Sequence, residues 1–192
     1  MNKAVFLDRD GTINVEKQYL YQIDDFEFLP GVLNALKIFQ DAGYLLIIIT
    51  NQSGIGRGYY SEDEFIVLNE WMLTSLSDQG INISKVYYCP HYIASKCIKY
   101  KKKCMCRKPE IGLFEQAAKE FDIDLSASWA IGDKLRDCAI CSKSECRGYL
   151  LGSNEKKSII DEVKLGHKKN IEYAIDLLDA ATKIMEKEER VK

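Results

Sequence analysis

The 192-residue sequence predicts an α/β fold, a doubly wound and mainly parallel sheet with helices on both faces. Three observations carry that prediction. Short apolar runs recur along the chain, and several end abruptly at a polar motif. Between them lie segments whose apolar residues repeat at helical spacing. Strand-like and helix-like segments alternate, which is the pattern of a parallel sheet whose crossovers cover both faces.

The elements follow in order. Ala4-Val5-Phe6-Leu7 reads as a buried strand that stops at Asp8-Arg9-Asp10-Gly11-Thr12. Val32 to Asp41 carries Val32, Leu33, Leu36 and Phe39 at helical spacing, with Pro30-Gly31 before it and Gly43 after it. Tyr44 to Ile49 is uninterrupted and Ile-rich, as strands covered on both faces are, and ends at Thr50-Asn51-Gln52-Ser53-Gly54. Ser61-Glu62-Asp63-Glu64 has the form of a capping box opening a helix to about Leu76. Val86-Tyr87-Tyr88 is a third strand ahead of a cysteine-rich loop, and Ile111 to Phe121 is again helical. Ser128 to Ile131 is a fourth strand ending at Gly132-Asp133, Gly148 to Leu151 a fifth, and Ile171 to Met185 a closing helix. Only the charged end, 186–192, reads as loose. No repeat or linker divides the chain, so one domain is expected over residues 1–192.

Composition narrows the function. With 27 Lys and Arg against 29 Asp and Glu, a net charge of −2 argues against a nucleic-acid partner. No run approaches the ~18–20 apolar residues of a membrane span. Met1 leads almost directly into a strand, so the expectation is a cytoplasmic protein with no leader and no membrane partner. Seven cysteines, an odd number, argue against a disulfide framework in that setting. Their grouping, Cys89, Cys97, Cys104 and Cys106 in one segment and Cys138, Cys141 and Cys146 in another, points to metal binding first.

In an open parallel sheet, ligands bind beyond the carboxyl ends of the strands. The motifs after strands one, two and four, and the loop after strand three, therefore converge on one edge. Asp8-x-Asp10 sets two carboxylates close enough to repel unless a divalent cation lies beside them. With a cation bound, one carboxylate can attack phosphorus while the other carries a proton. Asp133 adds a third acid in a matching strand-end loop. Thr50-Asn51-Gln52-Ser53-Gly54 offers a hydroxyl, amides and backbone N–H groups suited to phosphate oxygens. Gly54-x-Gly56-Arg57-Gly58 misses the G-x-G-x-x-G spacing, and no G-x-x-x-x-G-K-[ST] occurs, which excludes a P-loop nucleotide hydrolase. Arg107-Lys108 places two cations where a phosphoryl group needs positive charge.

Cys89-x-His91, twelve residues, then Cys104-x-Cys106 is a Cys₃His set. Four protein ligands would close a tetrahedral zinc site and brace residues 89–106 structurally. Cys97 is a surplus candidate. Cys138-x-x-Cys141 reads first as buried packing on one helix face, with redox or metal roles as the alternatives. The Lys99 to Lys103 stretch reads as a solvated loop tip.

Taken together, Asp8-Arg9-Asp10-Gly11-Thr12-Ile13-Asn14, Thr50-Asn51-Gln52-Ser53-Gly54-Ile55-Gly56-Arg57-Gly58, Cys89-Pro90-His91, Cys104-Met105-Cys106-Arg107-Lys108-Pro109 and Gly132-Asp133-Lys134 resemble the haloacid dehalogenase (HAD) superfamily. More narrowly they resemble its zinc-loop branch acting on heptose bisphosphates, over about residues 4 to 140. The resemblance implies a HAD-like domain without a large cap, and a Mg²⁺-dependent phosphatase acting on a sugar bisphosphate in nucleotide-heptose biosynthesis. It implies Asp8 as nucleophile, Asp10 as acid and base, and Mg²⁺ held by Asp8, the Asp10 backbone carbonyl and Asp133. Thr50 and Lys108 would stabilise the phosphoryl group. Glu16, Lys17, Gln18, Tyr19, Asn51, Gln52, Ser53 and Arg107 would bind substrate, and Cys89, His91, Cys104 and Cys106 would hold zinc. A monomer acting on a small molecule is the expected form. The alternatives are another small sugar-phosphate phosphatase and, nearest, the histidinol-phosphate phosphatase family, whose zinc loop is shorter: Cys97 falls where its next cysteine would, but Lys99 stands in the following ligand position. A non-enzymatic zinc-braced binding protein is a third reading, and retention of Asp8 and Asp10 speaks against it.

Overall fold

The computed structural model describes residues 1–152 and 154–191. Its centre is a six-stranded sheet of β1 (Ala4–Leu7), β2 (Leu45–Asn51), β3 (Ile83–Cys89), β4 (Trp129–Gly132), β5 (Arg147–Leu151) and β6 (Ile171–Ala174). The spatial order is β3-β2-β1-β4-β5-β6, and every pairing is parallel, so the sheet is wholly rather than mainly parallel. The helices are α1 (Val32–Asp41), α2 (Ser53–Arg57), α3 (Glu62–Asp78), α4 (Gly112–Glu120), α5 (Lys157–Lys164) and α6 (Leu177–Val191), with a 3-10 stretch over Leu135–Ser142.

Strand side chains alternate between two cores, as the pleat requires. Val5, Leu7, Leu46, Ile48, Trp129 and Ile131 face α1, α3 and α6. Ala4, Phe6, Ile47, Ile49 and Ala130 face α4, the 3-10 stretch and Val163 of α5. Both faces of the central strands are thus dry, which is why their sequences are continuously apolar. Cys138, Cys141 and Cys146 belong to the second core: all three are fully buried, and the Cys138 Sγ lies 3.3 Å from the Ala130 carbonyl. The packing reading of these thiols matches where they sit.

Ser61 caps α3 as its sequence predicts: its Oγ accepts from the Glu64 N–H, and the Glu64 carboxylate accepts from the Ser61 N–H. The closing helix differs from expectation. Residues 171–174 form β6 and the helix begins only at Leu177. Ile171 and Ala174 are buried beside β5, and the Asp176 carboxylate accepts from the Asp179 N–H at the start of the helix. Of the charged end, 186–191 is not loose either, since α6 continues to Val191; Lys192 lies outside the described residues. Among the described residues, the segments after β1 (8–31) and β3 (90–111) are loops with single 3-10 turns, not an inserted domain. No helix among them is long and apolar enough to cross a membrane.

Candidate active site

β1 and β4 are neighbours, so Asp8 and Asp133 leave the sheet side by side. The turn after Asp8 is closed by the Arg9 carbonyl, which accepts from the backbone N–H groups of Ile13 and Asn14. Gly11 is required here twice over. Its φ is +84°, and a Cβ would lie 2.5 Å from an Asp133 carboxylate oxygen. That close approach lets the two acidic loops share one site.

Asp137 joins them from the 3-10 stretch, where its carboxylate also accepts from the Lys134 N–H. One oxygen from each of Asp8, Asp133 and Asp137 can be chosen so that all lie within 4.8 Å of one another. The Lys108 ammonium stands 2.9 Å from Asp8 and 2.7 Å from Asp137, and donates to the Ile49 carbonyl. All four charged groups are buried. Burial, and then Asp137, Asp10 and Asp133, push the Asp8 carboxyl up to about 7 against the opposing pull of Lys108. Burial and Asp137 likewise raise Asp133 to about 6. Burial works against the charge on Lys108, but Asp137 and Asp8 outweigh it and hold its pKa above the usual lysine value.

Three carboxylates and one ammonium leave a buried charge of −2 when all are ionised, and that charge fits a divalent cation with hard oxygen ligands. A pH dependence follows. Folded carboxyls with raised pKa values bind protons that the unfolded chain has already released, so these groups cost the metal-free fold stability as pH rises from about 4 to 7. Protons and the cation compete for the same oxygens. Mg²⁺ affinity, measured by calorimetry, is expected to fall by up to about tenfold per unit as pH drops below about 7. Affinity constant between pH 8 and 5.5 would contradict the assignment.

Asp10 lines a cleft of about 430 Å³, together with Glu16, Gln18, Tyr19, Asn51, Gln52 and Ser53. Its carboxylate accepts from the Arg9 guanidinium, from Asn14 Nδ2 at 3.0 Å and from Gln52 Nε2 at 2.9 Å. Gln52 is fixed in turn by Tyr60, whose hydroxyl donates to Gln52 Oε1 at 2.5 Å, and Gln52 Nε2 also reaches Thr50 Oγ1. The Asn51 amide both donates to and accepts from the Lys108 backbone at 3.0 Å. The amides expected to bind substrate thus also position Asp10 and Lys108.

Gln18 and Tyr19 line the cleft with φ of +45° and +66°, a left-handed pair of non-glycine residues of the kind that clusters at functional sites. Glu16 accepts from the Gln18 N–H, and burial, then Asp10, raise its pKa. Lys17 stands apart from the expected set: its ammonium pairs with Glu27 at 3.6 Å, and it does not line the cleft. Arg107 lines it, joined by Arg57, which belongs to the Gly54–Gly58 motif but is given no substrate role by it, and by Arg136, which no motif includes. Asp137 is likewise missing from the expected set, although Asp133-x-x-x-Asp137 places two acids one helical turn apart, a signal present in the sequence.

The cysteine-rich loop carries a second cluster. Cys89 ends β3, and its Sγ lies 3.6 Å from Cys104 and 3.2 Å from Cys106, with Cys104 and Cys106 3.1 Å apart. His91 Nδ1 is 3.5 Å from Cys89 Sγ and 3.1 Å from Cys106 Sγ. Tetrahedral zinc at its usual ~2.3 Å would set sulfurs about 3.8 Å apart, so the observed set is slightly contracted around the same centre. Three sulfurs and an imidazole nitrogen are the donors zinc prefers. Cys97 is exposed and lies outside the cluster.

The family model described as polynucleotide kinase 3 phosphatase matches residues 3–142, and one described as HAD-hydrolase-like matches residues 105–180. The D-glycero-beta-D-manno-heptose-1,7-bisphosphate 7-phosphatase of Haemophilus ducreyi is 55% identical over 136 residues, 70% of this chain and 74% of that protein. The protein of the same name from Escherichia coli K12 is 45% identical over 134 residues, 70% of each chain. The D,D-heptose 1,7-bisphosphate phosphatase of B. bronchiseptica, solved with magnesium and phosphate, superposes with a TM-score of 0.81 at 26% identity, covering 96% of this chain and 99% of that one.

Proposed function

The chain belongs to the D-glycero-β-D-manno-heptose-1,7-bisphosphate 7-phosphatase family, among the HAD-like phosphatases that the polynucleotide kinase 3 phosphatase model also spans, and on that premise we propose that it removes the 7-phosphate of this heptose bisphosphate. The observation that carries the reading is the buried Asp8–Lys108 pair beside Asp133 and Asp137, with Asp10 held in the lining of the adjoining cleft.

In this reading Asp8 attacks phosphorus, the bond to the sugar oxygen breaks, and Asp10 gives that oxygen its proton. Asp10 then takes a proton from water, which attacks the aspartyl-phosphate and releases phosphate and free Asp8. Arg9, Asn14 and Gln52 aim the Asp10 carboxylate for both steps. Lys108 and Thr50 offset charge on the phosphoryl oxygens. Asp8, Asp133 and the Asp10 carbonyl would hold Mg²⁺, with Asp137 as a further ligand, and the ion would supply charge neutralisation at the transferring group. Zinc on Cys89, His91, Cys104 and Cys106 would fix the loop that delivers Arg107 and Lys108. The enzyme would act in the cytoplasm as a monomer, making a precursor for nucleotide-linked heptose.

Phosphate release with Mg²⁺ from the heptose bisphosphate, histidinol phosphate and a 3′-phosphorylated oligonucleotide tests the substrate. The kcat/KM for the heptose is expected to exceed the others by at least ~100-fold, about 2.7 kcal/mol of transition-state preference. A preference for histidinol phosphate or for the oligonucleotide would reassign the substrate.

A further inference from the structure

Arg57 is the last residue of α2 and lines the same cleft as Asp10, yet it makes no ion pair among the described residues with either acid of that cleft, Asp10 or Glu16. Its Nε is buried and has no hydrogen-bond acceptor, and the same holds for Nη1 of Arg107, which lines the same cleft. A buried guanidinium N–H with nothing to donate to is costly unless a ligand completes it. The guanidinium is nevertheless held in place. It lies 3.7 Å from the centroid of the Tyr92 ring, with the Tyr19 ring at 5.9 Å on the cleft side.

Tyr92 directly follows His91 of the cysteine–histidine cluster. The backbone of α2 also rests on this loop: a Cβ on Gly56 would lie 2.6 Å from the Pro90 carbonyl and 2.9 Å from the Tyr92 nitrogen. Residues 90–92 therefore pack against both the backbone before Arg57 and its guanidinium. Asp8, Lys108 and Thr50, which would serve the transferred phosphate, are buried and do not line this cleft. A planar fork of N–H donors on the cleft wall, apart from those groups, suits a second, spectator phosphate.

We propose that Arg57 recognises the phosphate that stays on the sugar, and that Tyr92 of the cysteine–histidine loop positions it. The loop then sets substrate specificity as well as bracing Lys108. This inference rests on the heptose bisphosphate reading.

The test compares kcat/KM for the 1,7-bisphosphate and the 7-monophosphate in wild type, Arg57→Ala, Arg57→Lys, Tyr92→Leu and Tyr92→Phe, with zinc content measured throughout. Arg57→Ala is expected to lose about 100-fold on the bisphosphate, mainly in KM, and less than about 10-fold on the monophosphate. Arg57→Lys, a charge without the fork, should fall between. Tyr92→Leu should lose about 10-fold with the same split and unchanged zinc, while Tyr92→Phe, which keeps the ring, should stay near wild type. Equal losses on both substrates, or none on the bisphosphate, would overturn the assignment. A wild-type protein that hydrolyses neither heptose phosphate would remove the substrate reading and this inference with it. A wild type that prefers the bisphosphate, with Arg57→Ala keeping that preference, would remove only the role of Arg57.

Discussion

The Asp8→Asn protein is expected to release phosphate at least about 10⁴-fold more slowly than wild type, a loss of about 5 kcal/mol in transition-state stabilisation, with its fold and zinc content intact. Asparagine has the same shape and keeps an oxygen for the Lys108 ammonium, 2.9 Å away in the native site. What it lacks is a nucleophile, since a neutral amide does not attack phosphorus. The same variant makes a second prediction of opposite sign. Burial holds the Asp8 carboxyl up to about 7, so above that pH its ionised form costs the metal-free fold stability that an amide would not. At pH 8 with no Mg²⁺ added and zinc content unchanged, the variant should melt no lower than wild type. Loss of turnover with a collapse in Tm would mean that the residue is structural, and an active variant would end the covalent mechanism.

Breaking the cysteine–histidine cluster should have an effect of comparable size by a different route. Cys104→Ser removes one of the four donors, and structural zinc in small sites contributes on the order of 10 kcal/mol to local folding. The loop from Cys89 to Cys106 is anchored at one end by β3; beyond the cluster it is tied by Glu62, which accepts from Lys99 and Tyr100, by Tyr92 against Arg57 and by the Met105 carbonyl, which accepts from the Gly112 N–H. Those partly exposed contacts are worth little against the loss of the ion. The expected result is zinc loss, rapid tryptic cleavage within Lys99–Lys103, and kcat/KM lower by at least about 100-fold, because Arg107 and Lys108 follow directly from the loop. A zinc-free variant with full activity and native protease resistance would show that the loop holds itself.

Much of this site is legible in the sequence because its chemistry is carried by short contiguous motifs at strand ends. Asp8 and Asp133 can be paired from the order of strands and motifs alone, since a parallel sheet brings strand ends together. The parts that escape such reading are those fixed by tertiary packing. Ile171 to Ala174 is too short for its period to separate a strand from the first turn of a helix, and only burial beside β5 decides it. Asp137 sits in a segment whose cysteines suggest packing, yet its carboxylate completes the acidic cluster. Asn51 and Gln52 look like phosphate ligands by type, but whether an amide faces a ligand or a neighbour is set by partners far along the chain, here Lys108 and Tyr60. Arg57 stands out in the sequence only as part of the Arg57-Gly58 pair; its role is not legible there, because nothing local shows that it meets Tyr92 rather than an acid.

The central claim, that phosphate passes through Asp8, is tested most directly by trapping. Rapid quenching during turnover of the bisphosphate with Mg²⁺, followed by borohydride reduction and peptide mapping, would convert an aspartyl-phosphate to homoserine. The mechanism predicts homoserine at position 8 and unmodified Asp10, Asp133 and Asp137. Full turnover with no modified aspartate, or homoserine at any of the other three, would contradict it.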